Sequence, residues 1–172
     1  MITNCSLEDC TKDTPEFSLC GLTLQGKIVE CYDADTCKIA LPLPNTSGNS
    51  FYKFTCRLNG IDTPEIKPLK TKPNRDNEIL LAKRARAELL KMICDTSFAS
   101  SFDNLDIKKD EVIKILEKNK KLVTVKCDVF DKYGRLLVEL YNGDSEKSFN
   151  EILVEKELAV KYDGGHKAPW IL

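Results

Sequence analysis

An α+β domain, mainly β with helices on a five-stranded, partly open barrel, is predicted by three features of the sequence. Apolar and polar residues alternate in five separate runs, one long segment at helical spacing falls between the third and fourth runs, and a capping box follows the fifth. The expected order is βββαββα, with a short helix inserted before the fourth strand. At 172 residues the chain has room for one such domain with a full core.

Residues 1–19 read as a polar arm, and 20–172 as the domain. The first strand spans Leu22 to Tyr32, Asp33 and Ala34 make a corner, and the second strand runs from Asp35 to Leu43 with Cys37, Ile39 and Leu41 inward. Pro44-Asn45-Thr46-Ser47-Gly48 is a strong turn into a third strand at Phe51. Three strands therefore precede any helix. Asn77 can cap a helix from Glu78 to Cys94, with Ala82, Ala85, Leu89, Met92 and Ile93 on one stripe and Lys83, Arg84, Glu88 and Lys91 opposite. That stripe suits core packing rather than a cofactor.

Residues from about 95 to 120 hold a Ser/Asp-rich loop and a short helix, Asp110 to Asn119, and show no chemistry of their own. Val123, Val125 and Cys127 point inward from the fourth strand, and Leu136, Val138 and Leu140 from the fifth. Ser148-Phe149-Asn150-Glu151 is a capping box opening a last helix to Leu158, and Tyr162-Asp163-Gly164-Gly165 breaks regular structure. This order fits the oligonucleotide-binding (OB) type of barrel.

Bulk properties narrow the class of protein. Apolar residues make up 42% and charged residues 31%, as in an ordinary soluble globular chain. The start lacks the basic and apolar regions of a signal peptide, no stretch reaches transmembrane length, and Ile2 excludes a myristoylation signal, so an intracellular protein with no membrane partner is expected. Eight cysteines then read as reduced thiols. Cys37, Cys56 and Cys127 share the inward parity and suit small core hydrophobes, while Cys5, Cys10 and Cys20 in or beside the arm leave a disulfide or a metal site open. No paired CxxC spacing supports zinc, and the single histidine, His166, lies at the far end.

The stretch Arg57-Leu58-Asn59-Gly60-Ile61-Asp62-Thr63-Pro64-Glu65 concentrates the chemistry. Phe54, Cys56 and Leu58 occupy the apolar parity, so Arg57 points off the core, free to meet a ligand. Asn59-Gly60 permits a turn, and Pro64 biases Thr63 toward extended backbone, which holds the spacing of Asp62 and Glu65. Alone, such a bend reads equally as a surface ion pair. Two other places bear on it: Asp33-Ala34-Asp35-Thr36 upstream and Asp131-Lys132-Tyr133-Gly134-Arg135 downstream, where Arg135 is again off the core parity.

With these three motifs together, residues 27 to 162 closely resemble the staphylococcal nuclease (thermonuclease) family, whose members hydrolyse nucleic acids on a small OB barrel. The resemblance implies a calcium-dependent phosphodiesterase, with Asp35, Asp62 and the carbonyl of Thr63 as calcium ligands. It also implies Arg57 and Arg135 as a clamp on the scissile phosphate, and Glu65 as the group that handles the attacking water. Lys132 and Tyr133 would contact a neighbouring phosphate, and Tyr162 would bond to or stack on the nucleotide; each of the three reads alternatively as an ordinary rim residue. Expected substrates are single-stranded DNA and/or RNA, with duplex DNA as a further possibility, cut by expulsion of the 5′-oxygen to leave 3′-phosphate ends. A monomer is expected.

The donor types agree with that implication: an oxygen-only set favours a hard cation over zinc or copper, at weak affinity on the order of 10⁻⁴ to 10⁻³ M. Three features differ from the basic secreted members. Ala34 stands where glycine is usual, with about 1 kcal/mol of strain if the corner needs a positive φ. The 95–120 segment is an insertion. The net charge is −1, although Lys67, Lys70, Lys72 and Arg75 form a basic loop after the bend, readable as a polyanion guide or as a solvated loop. The alternative function is a non-catalytic binding module for nucleic acid or protein; a third is an interaction domain docking through the insertion.

Overall fold

In the computed structural model, residues 6–43, 50–165 and 170 are described; Cys5, the turn at 44–48 and His166 lie outside them. Among the described residues the strands are β1 (Thr23–Cys31), β2 (Thr36–Pro42), β3 (Phe51–Leu58), β4 (Ile61–Asp62), β5 (Val123–Phe130), β6 (Leu136–Tyr141) and β7 (Val160–Lys161). The α-helices are α1 (Arg75–Ile93), α2 (Lys109–Lys118) and α3 (Phe149–Glu155), with 3₁₀ turns at Leu7–Asp9 and Thr96–Phe102. Five strands close a barrel in the order β1-β2-β3-β6-β5.

The expected α+β barrel is present, and it closes completely rather than staying partly open. Neighbours pair antiparallel except β3 with β6, which run parallel through Cys56↔Leu136, Arg57↔Leu137 and Leu58↔Val138. That parallel seam brings the end of β3 beside the start of β6, which is why Arg57 and Arg135 meet at one rim although far apart in sequence.

Alternation dictates the interior. Cys37, Ile39 and Leu41 of β2, Val125 and Cys127 of β5, and Leu136, Val138 and Leu140 of β6 are all buried. The register of β1 on β2 shifts between Ile28 and Glu30, so the inward face passes from Gly26 and Ile28 to Cys31. Such an extra residue bends a strand and re-aims the backbone beyond it, here the Asp33 corner. Leu19, assigned to the arm by sequence, is fully buried with the core.

Other differences concern helices. α1 begins at Arg75, and its N-cap is Asn74 in the left-handed region (φ 53°), with no side-chain cap bond; Asn77 lies inside the helix. The 95–120 segment is docked on the barrel: Phe102, Ile107, Val112 and Leu116 join the core. Asn119 Nδ2 donates to the Ile93 carbonyl at 3.1 Å and Lys121 Nζ to the Met92 carbonyl at 2.7 Å. These satisfy carbonyls that the last turn of a helix leaves without partners. A 3₁₀ turn precedes the first strand, and α3 stops at Glu155, short of Leu158. The capping box at Ser148 forms as expected.

Two-residue strands β4 and β7 pair antiparallel, Ile61↔Lys161 and Asp62↔Val160. This ladder, too short for any periodicity to show, ties the C-terminal segment to the bend. The described cysteines are all free thiols, five of them buried, Cys37, Cys56 and Cys127 included.

Candidate functional site

The bend after β3 lies against the corner before β2 because strand pairing sets them together. Thr36 faces Arg57 across the β2–β3 ladder, and the Leu58 amide donates to the Asp35 carbonyl at 2.8 Å. Arg57, off the core face as the alternation predicts, is not free: its side chain is only 12% exposed and bridges two buried aspartates. Nη1 donates to Asp35 Oδ2 at 2.8 Å, and Nη2 to Asp62 Oδ1 at 2.9 Å and to the Ile61 carbonyl at 3.2 Å. Burial alone would lower the guanidinium pKa, but the charges of Asp35 and Asp62 outweigh it and raise it. The reason lies in tertiary position, since Asp35 is 22 residues upstream.

Asp35 Oδ2 also accepts from the Thr63 amide at 3.3 Å, and its Oδ1 from the Thr36 hydroxyl at 2.9 Å. Asp33, which the sequence marks only as a corner residue, completes the group. Its Oδ1 is buried without a hydrogen-bond partner. Its pKa is pushed up to about 7, first by burial and then by the neighbouring Asp35 carboxylate. The doubled Asp-x-Asp at 33–35 was the signal for it. Ala34 is buried and the corner needs no positive φ there, since positive φ among described non-glycine residues occurs only at Asn74 and Glu157, so the conditional strain does not arise.

A cavity of about 180 Å³ gathers Asp33, Asp35, Arg57, Thr63, Glu65 and Arg135. Glu65 is exposed, with its backbone amide donating to Glu78 Oε1 at 3.4 Å. Glu78 is buried in the first turn of α1 and binds Lys72 Nζ at 2.7 Å through Oε2. Lys72 of the basic loop is therefore committed internally, whereas Lys67 lines the cavity.

Arg135 is aimed by Asp131, whose Oδ2 accepts from Nε at 2.8 Å and pairs with Nη2 at 2.7 Å. Asp131 Oδ1 accepts from the Tyr133 and Arg135 amides, each at 2.9 Å. Burial pushes the Asp131 carboxyl up, but the hydrogen bonds from Arg135 and Tyr133 outweigh this and hold it below the usual range. Both arginines also border a larger groove of about 1050 Å³ that includes Lys132, Tyr133, Tyr141 and Tyr162. Lys132 and Arg135 lie over the Tyr133 ring at 5.1 and 5.5 Å, and Tyr133 is 73% exposed. The Tyr162 amide bonds the Gly60 carbonyl at 2.9 Å, and its ring lies 5.9 Å from the Arg57 guanidinium.

Among the described residues no group of three or more His, Cys, Asp or Glu is set to hold a metal ion. The donor types nevertheless suit a hard cation, because Asp33, Asp35 and Thr63 on the cavity offer oxygen donors and one of them, Asp33 Oδ1, is buried and unsatisfied.

A closed OB-type barrel carries a guanidinium and carboxylate site that opens into a groove of mixed charge lined with Tyr133, Tyr141 and Tyr162, a frame suited to nucleic acid. The chain belongs to the staphylococcal nuclease family: the family model described as staphylococcal nuclease homologue matches residues 55–168, more than half of the chain. Asp33 and Asp35 precede that span and reach the site through the β2–β3 pairing. No curated protein matches the sequence. Among solved structures, the Papi extended Tudor domain of Drosophila melanogaster aligns at 10% identity and a TM-score of 0.32, over 91% of this chain and 80% of that one. No described helix is long and apolar enough to cross a membrane.

Proposed function

We propose that this chain is a calcium-dependent nuclease that hydrolyses phosphodiester bonds of single-stranded DNA or RNA. The observation that carries the reading is the convergence of Asp35, Arg57, Thr63, Glu65 and Arg135, from three separate segments, on one small cavity that shares both arginines with the larger groove. A phosphodiester resists water because it is anionic, so a catalyst must neutralise charge, position water and receive developing charge.

Asp35, Asp62 and the Thr63 carbonyl, with Asp33 Oδ1 as a further oxygen, would hold the calcium. When bound, it supplies positive charge against a phosphate oxygen. Arg57 and Arg135 each offer a planar fork of donors to the phosphoryl oxygens. For Arg57 this means exchanging part of its present carboxylate partnership for phosphate, which leaves oxygens of Asp35 and Asp62 to the cation. Glu65 would accept or orient the proton of the attacking water as the water oxygen bonds to phosphorus, and the bond from phosphorus to the 5′-oxygen breaks, leaving a 3′-phosphate and a 5′-hydroxyl whose oxygen takes up a proton from solvent. Lys132, Tyr133 and Tyr162 then contact the neighbouring phosphate and base in the groove.

The self-satisfied Arg57 bridge favours a second reading, a binding module in which those charges only brace the barrel. Release of acid-soluble nucleotides from single-stranded DNA and RNA, in calcium or in chelator, separates the two. Wild type should cut in calcium alone, and Glu65→Gln should be slower by about 10²-fold or more. A folded wild type that cuts nothing in calcium would leave the binding module standing.

A further inference from the structure

A second basic surface adjoins the site on the side away from the Tyr133 groove. Lys38 of β2, Lys53 of β3 and Lys109 of α2 all converge on the single carboxylate of Glu30. Their Nζ atoms stand 3.1, 3.3 and 3.7 Å from its oxygens. Three ammonium groups therefore share one negative charge. The lysine side chains are 40%, 55% and 64% exposed, and Glu30 only 22%. The surplus positive charge faces solvent while the carboxylate sits beneath it. The Lys38 hydrogen bond lowers the Glu30 pKa more than burial raises it, and Lys53 lowers it further.

This surface is continuous with the catalytic cavity. A recess of about 200 Å³ bordered by Glu30, Tyr32, Thr36, Lys38, Thr55 and Lys109 shares Tyr32 and Thr36 with the cavity that holds Arg57 and Glu65. Tyr32 is 47% exposed at that junction and presents a ring on which a base can stack. One lysine of the three comes from the inserted segment, whose α2 packs on β1.

We propose that this lysine trio is the track for the single-stranded polynucleotide on the far side of the scissile phosphate, extending past Tyr32 over β2, β3 and α2. A chain of net charge −1 can hold a polyanion if its positive charge is local, and here it is. Successive phosphates replace part of the Glu30 carboxylate as partners of Lys38, Lys53 and Lys109. The insertion thereby gains a role in substrate binding. The track rests on the nucleic-acid reading above, but not on cleavage.

The test measures binding in chelator by anisotropy of labelled single strands of about twenty and about four nucleotides, at several salt concentrations. Lys38→Ala, Lys53→Ala and Lys109→Ala combined should weaken the long strand roughly tenfold or more and flatten its logarithmic salt slope by about 2. The short strand should bind as to wild type. Glu30→Gln should tighten the long strand, a gain that loss of a structural ion pair would not produce. Equal affinity and slope in the triple variant, or weaker long-strand binding by Glu30→Gln, would overturn the track. So would a wild type that binds neither strand. Cleavage of the short strand in calcium is scored separately: a protein that shows the lysine effect but cuts nothing keeps the track and loses the catalytic reading.

Discussion

At the scale of single residues, the site is a set of pairs in which one member aims another. Asp131 shows this most directly, because its carboxylate oxygens accept from the Tyr133 and Arg135 amides and from the Arg135 guanidinium. Its depressed folded-state pKa gives a pH signature. A carboxylate lowered on folding contributes stability that is present above its unfolded value, near 3.9, and is lost as pH falls through the lower folded value. Urea midpoints of wild type should therefore fall faster between about pH 5 and pH 3 than those of Asp131→Asn. Parallel profiles would exclude the bond to Arg135 as a source of stability. Alternation revealed that Arg57 and Arg135 leave the core face, since parity is local. It did not reveal that Arg57 is held by Asp35 and Asp62, or that Asp33 keeps an unsatisfied oxygen, since both depend on distant segments brought together.

Elements were legible where their pattern repeats. Five barrel strands and the stripe of α1 emerge from periodicity, but β4 and β7, two residues each, have no period to detect, and only their pairing explains how Tyr162 reaches Arg57. The start of α1 differs from the expected one because the cap is Asn74 in a left-handed conformation rather than a side-chain cap at Asn77. Within β1, Gly26 sits where the barrel wall leaves no room for a side chain. A Cβ there would meet Leu41 Cδ2 at 2.7 Å, Ile39 Cγ2 at 2.8 Å and Val125 Cγ2 at 2.9 Å. These neighbours are core side chains with no solvent to move into, so Gly26→Ala should cost about 1 to 3 kcal/mol by overpacking. Chemical denaturation measures it, and an unchanged midpoint would mean that the wall relaxes freely.

For the whole molecule, the near balance of charge and the bridged Arg57 have a joint consequence for cation binding. Asp35 and Asp62 already carry a positive partner, so under the nuclease reading a free cation would compete with Arg57 and gain little, whereas a bound phosphate would give Arg57 a new partner and leave carboxylate oxygens to the cation. Calcium alone should then stabilise the fold weakly. With affinity on the order of 10⁻⁴ to 10⁻³ M, about 10 mM calcium adds roughly 1 to 3 kcal/mol. That raises the melting temperature of a domain this size by several degrees, on the order of 2 to 4 °C per kcal/mol. The rise should vanish in chelator and in Asp35→Asn. It should grow when a non-hydrolysable single strand is present, by more than strand and calcium produce separately. Thermal unfolding across these four conditions decides the point: additive shifts would mean that Arg57 does not transfer between carboxylate and phosphate, and identical melting in calcium and chelator would remove the cation from the site altogether.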